Sequence, residues 1–443
     1  MPNDRLELPL TTTEDAALAY VDGVDRMLAA WPGVHERLSA AIELDADFAL
    51  GHAAMARYLA MQGKVAAAQD AAMSARTVAK RATRRERQHV ECIALLVHGK
   101  PGEALRAVHE HVEEFATDSL ALSLALGAFG LHAFSGRADH DAVRLALCER
   151  VAAKHSADDW WFLSYFGWAH TEAGNLRVGQ DLSRRGFELR RENAHGAHSM
   201  AHSFHECGQY ADAVAHLDDW LPDYDVAGQL HCHLNWHRAL LDVQMGDVDA
   251  ALTRLRTAMA PTLSTSPPIN IFTDGASLLW RIMLYEQGSA DSHLSAPMKQ
   301  HWQELAAYAH DTWPRPAVSF IDAHCAMADA AMGDQQRVTT RAEALRELDA
   351  SGALAAGAVP ATLAQALGAY MQGDYVTAAD NVEAILTDLP RLGGSHAQRE
   401  IHEETLIAAC LKCDRRARAA ELLNERLARR PSAIDQHWLS IAN

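Results

Sequence analysis

The chain lacks most features that would place it in an oxidising, membrane or nucleic-acid setting. Its seven cysteines are scattered and odd in number, which excludes a disulfide framework and fits reduced thiols. The one close pair, Cys410 and Cys413, has no second pair to complete the four ligands of a structural zinc. No apolar run reaches the roughly 18 residues of a membrane span. The first fifteen residues show no basic stretch followed by an apolar core, so no secretory signal is expected. Positive charge is short: 40 Lys and Arg against 58 Asp and Glu leave −18, which argues against nucleic acid or an anionic membrane as the main partner. Proline and β-branched runs are sparse while alanine and leucine abound, so helix should dominate. Walker, Rossmann and G-x-S-x-G motifs are absent, and no organic cofactor is expected. The expectation is a soluble cytoplasmic protein.

What is present is a count. Turn signals recur at Gly63, Gly99, Gly136, Gly174, Gly208, Gly246, Gly288, Gly333 and Gly373, and without glycine at Cys413-Asp414, with spacings of 34 to 45. Each turn separates two amphipathic segments, so the unit is a helical hairpin. Such a period is the tetratricopeptide pattern. The expected fold is all-α: one solenoid of about ten hairpins, with enough units to curl around a central chamber. Residues 1–44 form an N-terminal helical cap, 45–261 regular hairpins, and 262–443 longer and more irregular ones ending in a helix. Interruptions are expected at Pro261–Gly275, Ser289–Pro297, Trp313–Pro316 and Ser351–Pro360. The first is either a cover for the chamber mouth or a long linker.

Histidine is concentrated. Eight of the 25 lie between Asn193 and His237, where His195, His198, His202 and His205 form one helical stripe and His233 and His237 repeat the i, i+4 spacing. Imidazole changes charge near neutral pH and ligates metals, so the cluster suggests chemistry. Counted back from its turn, His198 stands ten residues before Gly208, His237 nine before Gly246, and His324 nine before Gly333. Asp274, Trp280 and Arg281 precede Gly288, and Asp322 precedes Gly333. Equal registers direct these groups toward a common zone.

Asp274 and Asp322 are the carboxylates expected to orient a histidine, although Asp274 can equally cap a helix. His233 and Trp236 can form a pocket wall, or Trp236 can be plain packing. Gly393-Gly394-Ser395-His396 with Gln398 and Arg399 reads as a capped helix start. Its free N–H groups and guanidinium suit a carboxylate or phosphate, or simply a cap with an inter-repeat ion pair. Trp160, Trp161, Tyr165 and Trp168 read as an aromatic core patch, and the arginines from Arg415 to Arg430 as a solvated face.

Several segments together resemble the tetratricopeptide repeat protein 38 family. They are LPLTTTEDA at 8–16, DADFALGHAAMA at 45–56, NAHGAHSMAH at 193–202, HLNWHRAL at 233–240, DGASLLWR at 274–281, SFIDAHCAMA at 319–328 and LGGSHAQRE at 392–400. The resemblance implies a helical repeat fold and a cytoplasmic protein, and it supplies no catalytic residue. His205 departs from the pattern, which places an acid there.

The leading functional expectation is binding and transformation of a small polar or anionic molecule by cofactor-free histidine chemistry, hydrolysis or elimination. His202 and His237 would act as acid and base, with His198 and His324 beside them and Asp274 and Asp322 orienting. His233, Trp236, Trp280 and Arg281 would contact substrate, and Ser395, His396 and Arg399 would anchor its anion. One alternative is a scaffold holding a peptide or protein in its groove. Another is a metal-dependent hydrolase on the same histidines, with a divalent metal on His198, His202 and a third ligand.

Overall fold

The computed structural model describes residues 1–286, 296–316 and 318–443. They form 23 α-helices and, among the described residues, no β-strand. The helices pair across short turns. The first pairs are α1 (Glu14–Leu28) with α2 (Val34–Leu44), α3 (Ala49–Met61) with α4 (Val65–Val78), and α5 (Arg84–Val97) with α6 (Pro101–Glu114). Next come α7 (Ser119–Ser123) with α8 (His140–Ala152), α9 (Trp160–Glu172) with α10 (Leu176–Leu189), and α11 (Ala194–Glu206) with α12 (Tyr210–Trp220). They continue as α13 (His231–Gln244) with α14 (Val248–Arg254), α15 (Pro268–Glu286) with α16 (Ala296–Thr312), and α17 (Ser319–Ala331) with α18 (Gln335–Ala350). The last are α19 (Val359–Met371) with α20 (Tyr375–Ile385) and α21 (His396–Lys412) with α22 (Arg416–Arg429), closed by α23 (Ala433–Ala442). This is the tetratricopeptide-type solenoid expected from the period.

The turn glycines end the first helix of each pair in the left-handed conformation, where a side chain is unfavourable. Those from Gly63 to Gly246, with Gly333 and Gly373, have φ between 66° and 84°, and Asp414 takes the same role at 62°. The turn at Gly288 and the break from Ser289 lie outside the described residues, up to Ala296 and Pro297, which open α16. The break at Pro261–Gly275 is shorter than its composition suggests. Pro268 starts α15, because its missing N–H and fixed φ suit a first helical turn, and residues 268–275 are helical.

Odd-numbered helices face inward. Ten of 13 residues are buried in α11, 15 of 19 in α15 and 12 of 13 in α17, against three of 14 in α10. The solenoid also closes on itself. The first hairpin docks on the sixth through Tyr224 Oη to Ala30 O (2.5 Å) and Ala194 N to Ala29 O (2.9 Å). The last docks on the sixth through Tyr210 Oη to Pro431 O (2.8 Å) and Arg430 to Glu206 (3.2 Å).

The fourth hairpin is the irregular one. Its inner helix is cut to five residues, and the following loop runs inward and packs Phe129 on Phe320 (5.5 Å between ring centres). Gly394 N donates to Ala128 O in that loop (3.2 Å). A Cβ on Gly393 would lie 2.6 Å from Phe134, and one on Gly394 2.6 Å from Phe320. The glycine pair thus serves this close approach. A cavity lies on the concave side, and no helix among the described residues is long and apolar enough to cross a membrane.

Candidate metal site beside a cavity

The i, i+4 spacing puts His198 and His202 on one face of α11, and His233 and His237 on one face of α13. The two pairs meet. Ring centres lie 4.5 to 5.1 Å apart around the cluster, and one nitrogen from each ring lies within 4.8 Å of all the others. His198 Nε2 is 2.9 Å from His202 Nε2 and 3.0 Å from His233 Nε2. His237 Nε2 is buried with no partner.

Carboxylates stand behind two of the rings. His233 Nδ1 donates to Asp274 Oδ2 at 2.8 Å. His202 Nδ1 lies 2.9 Å from Glu172 Oε1, off the line of an ideal hydrogen bond. An ionised carboxylate holds the ring proton on Nδ1 and leaves the Nε2 lone pair pointing at the centre. His198 Nε2 carries at most one proton, which serves only one of its two neighbours. With the rings neutral, lone pairs therefore face each other at about 3 Å. Burial, reinforced by His202 and His233, pushes the His198 pKa well below its ordinary value, and the same three causes act on His237, so these two rings stay neutral.

A cation with an affinity for imidazole resolves the conflict, and zinc, copper, iron and nickel share that affinity. Nitrogens at about 2.0–2.1 Å from zinc lie about 3.3 Å apart in a tetrahedron, so the rings need only open slightly. The carboxylate–histidine pairs are the support such ligands use.

The start of α21 completes the shell. Ser395 and Gln398 form the expected capping box, and Gln398 Nε2 reaches Asp274 Oδ1 at 3.5 Å. His396 N–H donates to Glu172 Oε2 at 2.7 Å. The helix start read as an anion site thus holds an anion, but it is the chain's own Glu172. Glu172, two residues before Gly174, was not singled out from the sequence. Its signal was an acid beside a turn, which is common.

A cavity of about 130 Å³ adjoins the cluster. That is roughly ten times the space one water needs, enough for a small molecule and not for a peptide. Its wall includes His198 and His233 but not His202 or His237. Also on it are Arg57, Phe129, Tyr165 and His195, whose ring lies 3.2 Å from Tyr165 Oη and whose pKa burial pushes down to about 4.

Several expectations are corrected here. His202 and His237 sit behind the wall, so as an acid–base pair they would not meet a ligand. Asp322 pairs with Arg341 at 2.6 Å. Asp322 and His324 both lie on α17, two residues apart and on different faces. His324 stands outside the cluster, with Nδ1 bonded to Phe320 O (2.8 Å) and its pKa pushed down to about 4 by burial. Asp274 does not cap; it lies inside α15.

Trp236 stacks behind His233 (5.2 Å, 15°) and is not on the cavity wall. Trp280 donates to Thr405 Oγ1 (3.0 Å), and Arg281 binds Glu404 (3.2 Å) and Ala397 O (2.6 Å), so both hold α15 to α21. His396 faces Glu206 (2.9 Å), and Arg399 is taken by Asp141 (2.7 Å), His140 and Gly394 O. Neither is available as an anion anchor. Tyr165 and Trp168 line the cavity rather than core alone. Arg426 and Arg430 are buried, clasping Asp435, Glu403, Glu404, Glu206 and Glu400.

No family model matches the chain, so the resemblance to the tetratricopeptide repeat protein 38 family rests on the segments that carry it. Among solved structures the chain is similar to the human IFIT1 dimer with m7Gppp-AAAA, at 12% identity over 98% of this chain and 95% of that one, with a TM-score of 0.46. It is also similar to yeast Tom70, at 12% identity over 96% and 94%, with a TM-score of 0.36, and at these values nothing about ligand or partner passes to this chain.

Proposed function

We propose that the chain is a small-molecule hydrolase that holds a divalent transition metal on His198, His202, His233 and His237, at the wall of its cavity. The observation that carries this is the convergence of four buried imidazole nitrogens, two backed by carboxylates, whose contacts one proton on His198 cannot all serve. A metal held there with a further coordination position open toward the cavity would supply Lewis-acid activation of a water or a substrate carbonyl, which is the chemistry of hydrolysis. The chain's own part is to keep the ring tautomers fixed through Glu172 and Asp274, to present His198 and His233 to the cavity, and to exclude bulk water. The cavity's volume of about 130 Å³ supports a small-molecule ligand over a peptide lying in a groove. The finer resemblance to the tetratricopeptide repeat protein 38 family is compatible with this reading and does not carry it.

The test is elemental analysis of full-length protein purified without chelator, repeated after stripping and reloading with zinc, manganese or iron. About one ion per chain is expected, falling at least tenfold in the His202→Ala, His233→Ala double variant. Wild-type protein that takes up no ion on reloading overturns the proposal. A panel of small esters and amides then reads whether hydrolysis follows the metal content.

A further inference from the structure

Arg57 is the one charged side chain on the cavity wall. It projects from α3, on the same wall as Tyr165, His195, His198 and His233, and no carboxylate lines this cavity although the chain carries 58 Asp and Glu. Among the described residues Arg57 makes no hydrogen bond and no ion pair, whereas Arg426 meets four carboxylates, and Arg85 meets Asp118 and Pro9 O. A guanidinium drawn out of bulk water without a counter-charge is costly, and it does not shed the cost by losing its proton. Burial pushes the Arg57 pKa down, with only Tyr165 opposing it. Its five donors in a rigid fork match an oxyanion. Met27, Leu28, Met61, Leu126 and Phe129 form the apolar part of the wall, and Ser123, Ser164, Gln229 and Asn270 add neutral polar groups.

We propose that Arg57 anchors the oxyanion group, carboxylate or phosphate, of a small ligand whose apolar body lies along Met27, Leu28 and Phe129 and whose reactive group faces His198 and His233. The inference names the substrate class of the chamber described above; it rests on the chamber being the ligand site and not on the metal. It also explains how an acidic chain accepts an anion. The cavity is a positively charged enclave inside a protein of net charge −18.

The test uses full-length protein, metal-loaded and metal-stripped, with inorganic phosphate, benzoate and hexanoate as probes and benzamide and hexanamide as neutral counterparts. Thermal shift and calorimetry are expected to detect at least one oxyanion, bound tenfold or more tightly than its neutral counterpart. Arg57→Gln should weaken it tenfold or more, and Arg57→Lys should keep part of the affinity. Without ligand, Arg57→Gln should unfold no earlier than wild type, since it removes an unpaired, half-buried charge. Which probe wins separates carboxylate from phosphate. No oxyanion binding in either metal state, unchanged affinity in Arg57→Gln, or early unfolding of that variant overturns the inference. Binding that requires the metal and ignores Arg57 sinks the inference while sparing the hydrolase reading. Binding that requires Arg57 in a protein that takes up no metal does the reverse.

Discussion

Among the described residues, two groups of buried side chains bring three or more candidate metal ligands within 4.8 Å of one another, and they are opposite in polarity. In one, His198, His202, His233 and His237 turn nitrogens inward while Glu172 and Asp274 stand outside. In the other, a carboxylate is at the centre. Asp118 accepts from Arg85 (2.9 Å), His89 Nδ1 (2.9 Å) and His111 Nε2 (3.1 Å), while the other nitrogen of His111 faces Gln88 Oε1 at 3.2 Å. His89, His111 and Arg85, outweighing burial, hold the Asp118 carboxyl well below the usual carboxylate range. The centre of the second group is already neutralised by a permanent cation; the centre of the first is a set of lone pairs awaiting one. Closeness of ligand types is therefore a poor criterion. Where the protons point separates the group we propose as a metal site from the structural ion pair.

The largest expected effect breaks the structural group. Asp118→Ala leaves Arg85 buried without its counter-charge, which costs about 3–5 kcal/mol where a buried pair is broken from one side. The fall in the urea midpoint measures it, and metal content should not change. A loss under about 1 kcal/mol would show that water or Asp4, 3.7 Å from Arg85, takes over the pairing.

The next effect sharpens the metal side. Glu172→Gln keeps the shape of the side chain but removes the charge behind His202, so zinc affinity should fall about 10- to 100-fold. Competition with a chelating dye measures it. Asp274→Asn should act in the same direction through His233, while His89→Ala should leave affinity untouched. Equal losses in the His89 and Glu172 variants would erase the distinction between the two groups.

Much of this was readable from residue order, and the boundary has a physical cause. Turn glycines and helix periodicity are local, so the hairpins, the i, i+4 histidine pairs and the place of Asp274 in register all follow from short spans. Contacts made by closure do not. His396 and Glu172 are 224 residues apart, Arg399 and Asp141 258, and a register counted from one turn says nothing about which distant hairpin lies opposite. That is why Arg399 read as a free anion anchor when Asp141 already holds it, and why Arg57 passed unremarked on an ordinary alanine-rich helix. The degenerate inner helix at Ser119–Ser123 is a similar case, since a lost helix signal is visible but its inward course is not.

The smallest expected effect concerns the clasp that presses α21 against the metal group. His396 Nδ1 lies 2.9 Å from Glu206 and 3.9 Å from Glu400, with Arg430 bound to both acids. Burial would lower the His396 pKa, but the two carboxylates outweigh it and raise it above 6.5. Glu206 moves oppositely: burial would raise its pKa, yet His396 and Arg430 hold it at about 2. A raised histidine pKa stabilises the fold fully below 6.5 and ceases to do so as pH climbs through the raised value, whereas the Glu206 contribution is present above 4.5 and fades only toward pH 2. Between pH 6 and pH 9, metal-stripped wild type should therefore lose about 1–2 °C more in melting temperature than His396→Gln. Asp118, ionised across that window, adds no such slope, so the pH dependence belongs to the side of the molecule that carries the tetrahistidine group. Equal slopes in wild type and variant would mean that the clasp is held by Arg430 alone, and that the start of α21 reaches Glu172 without help from a protonated His396.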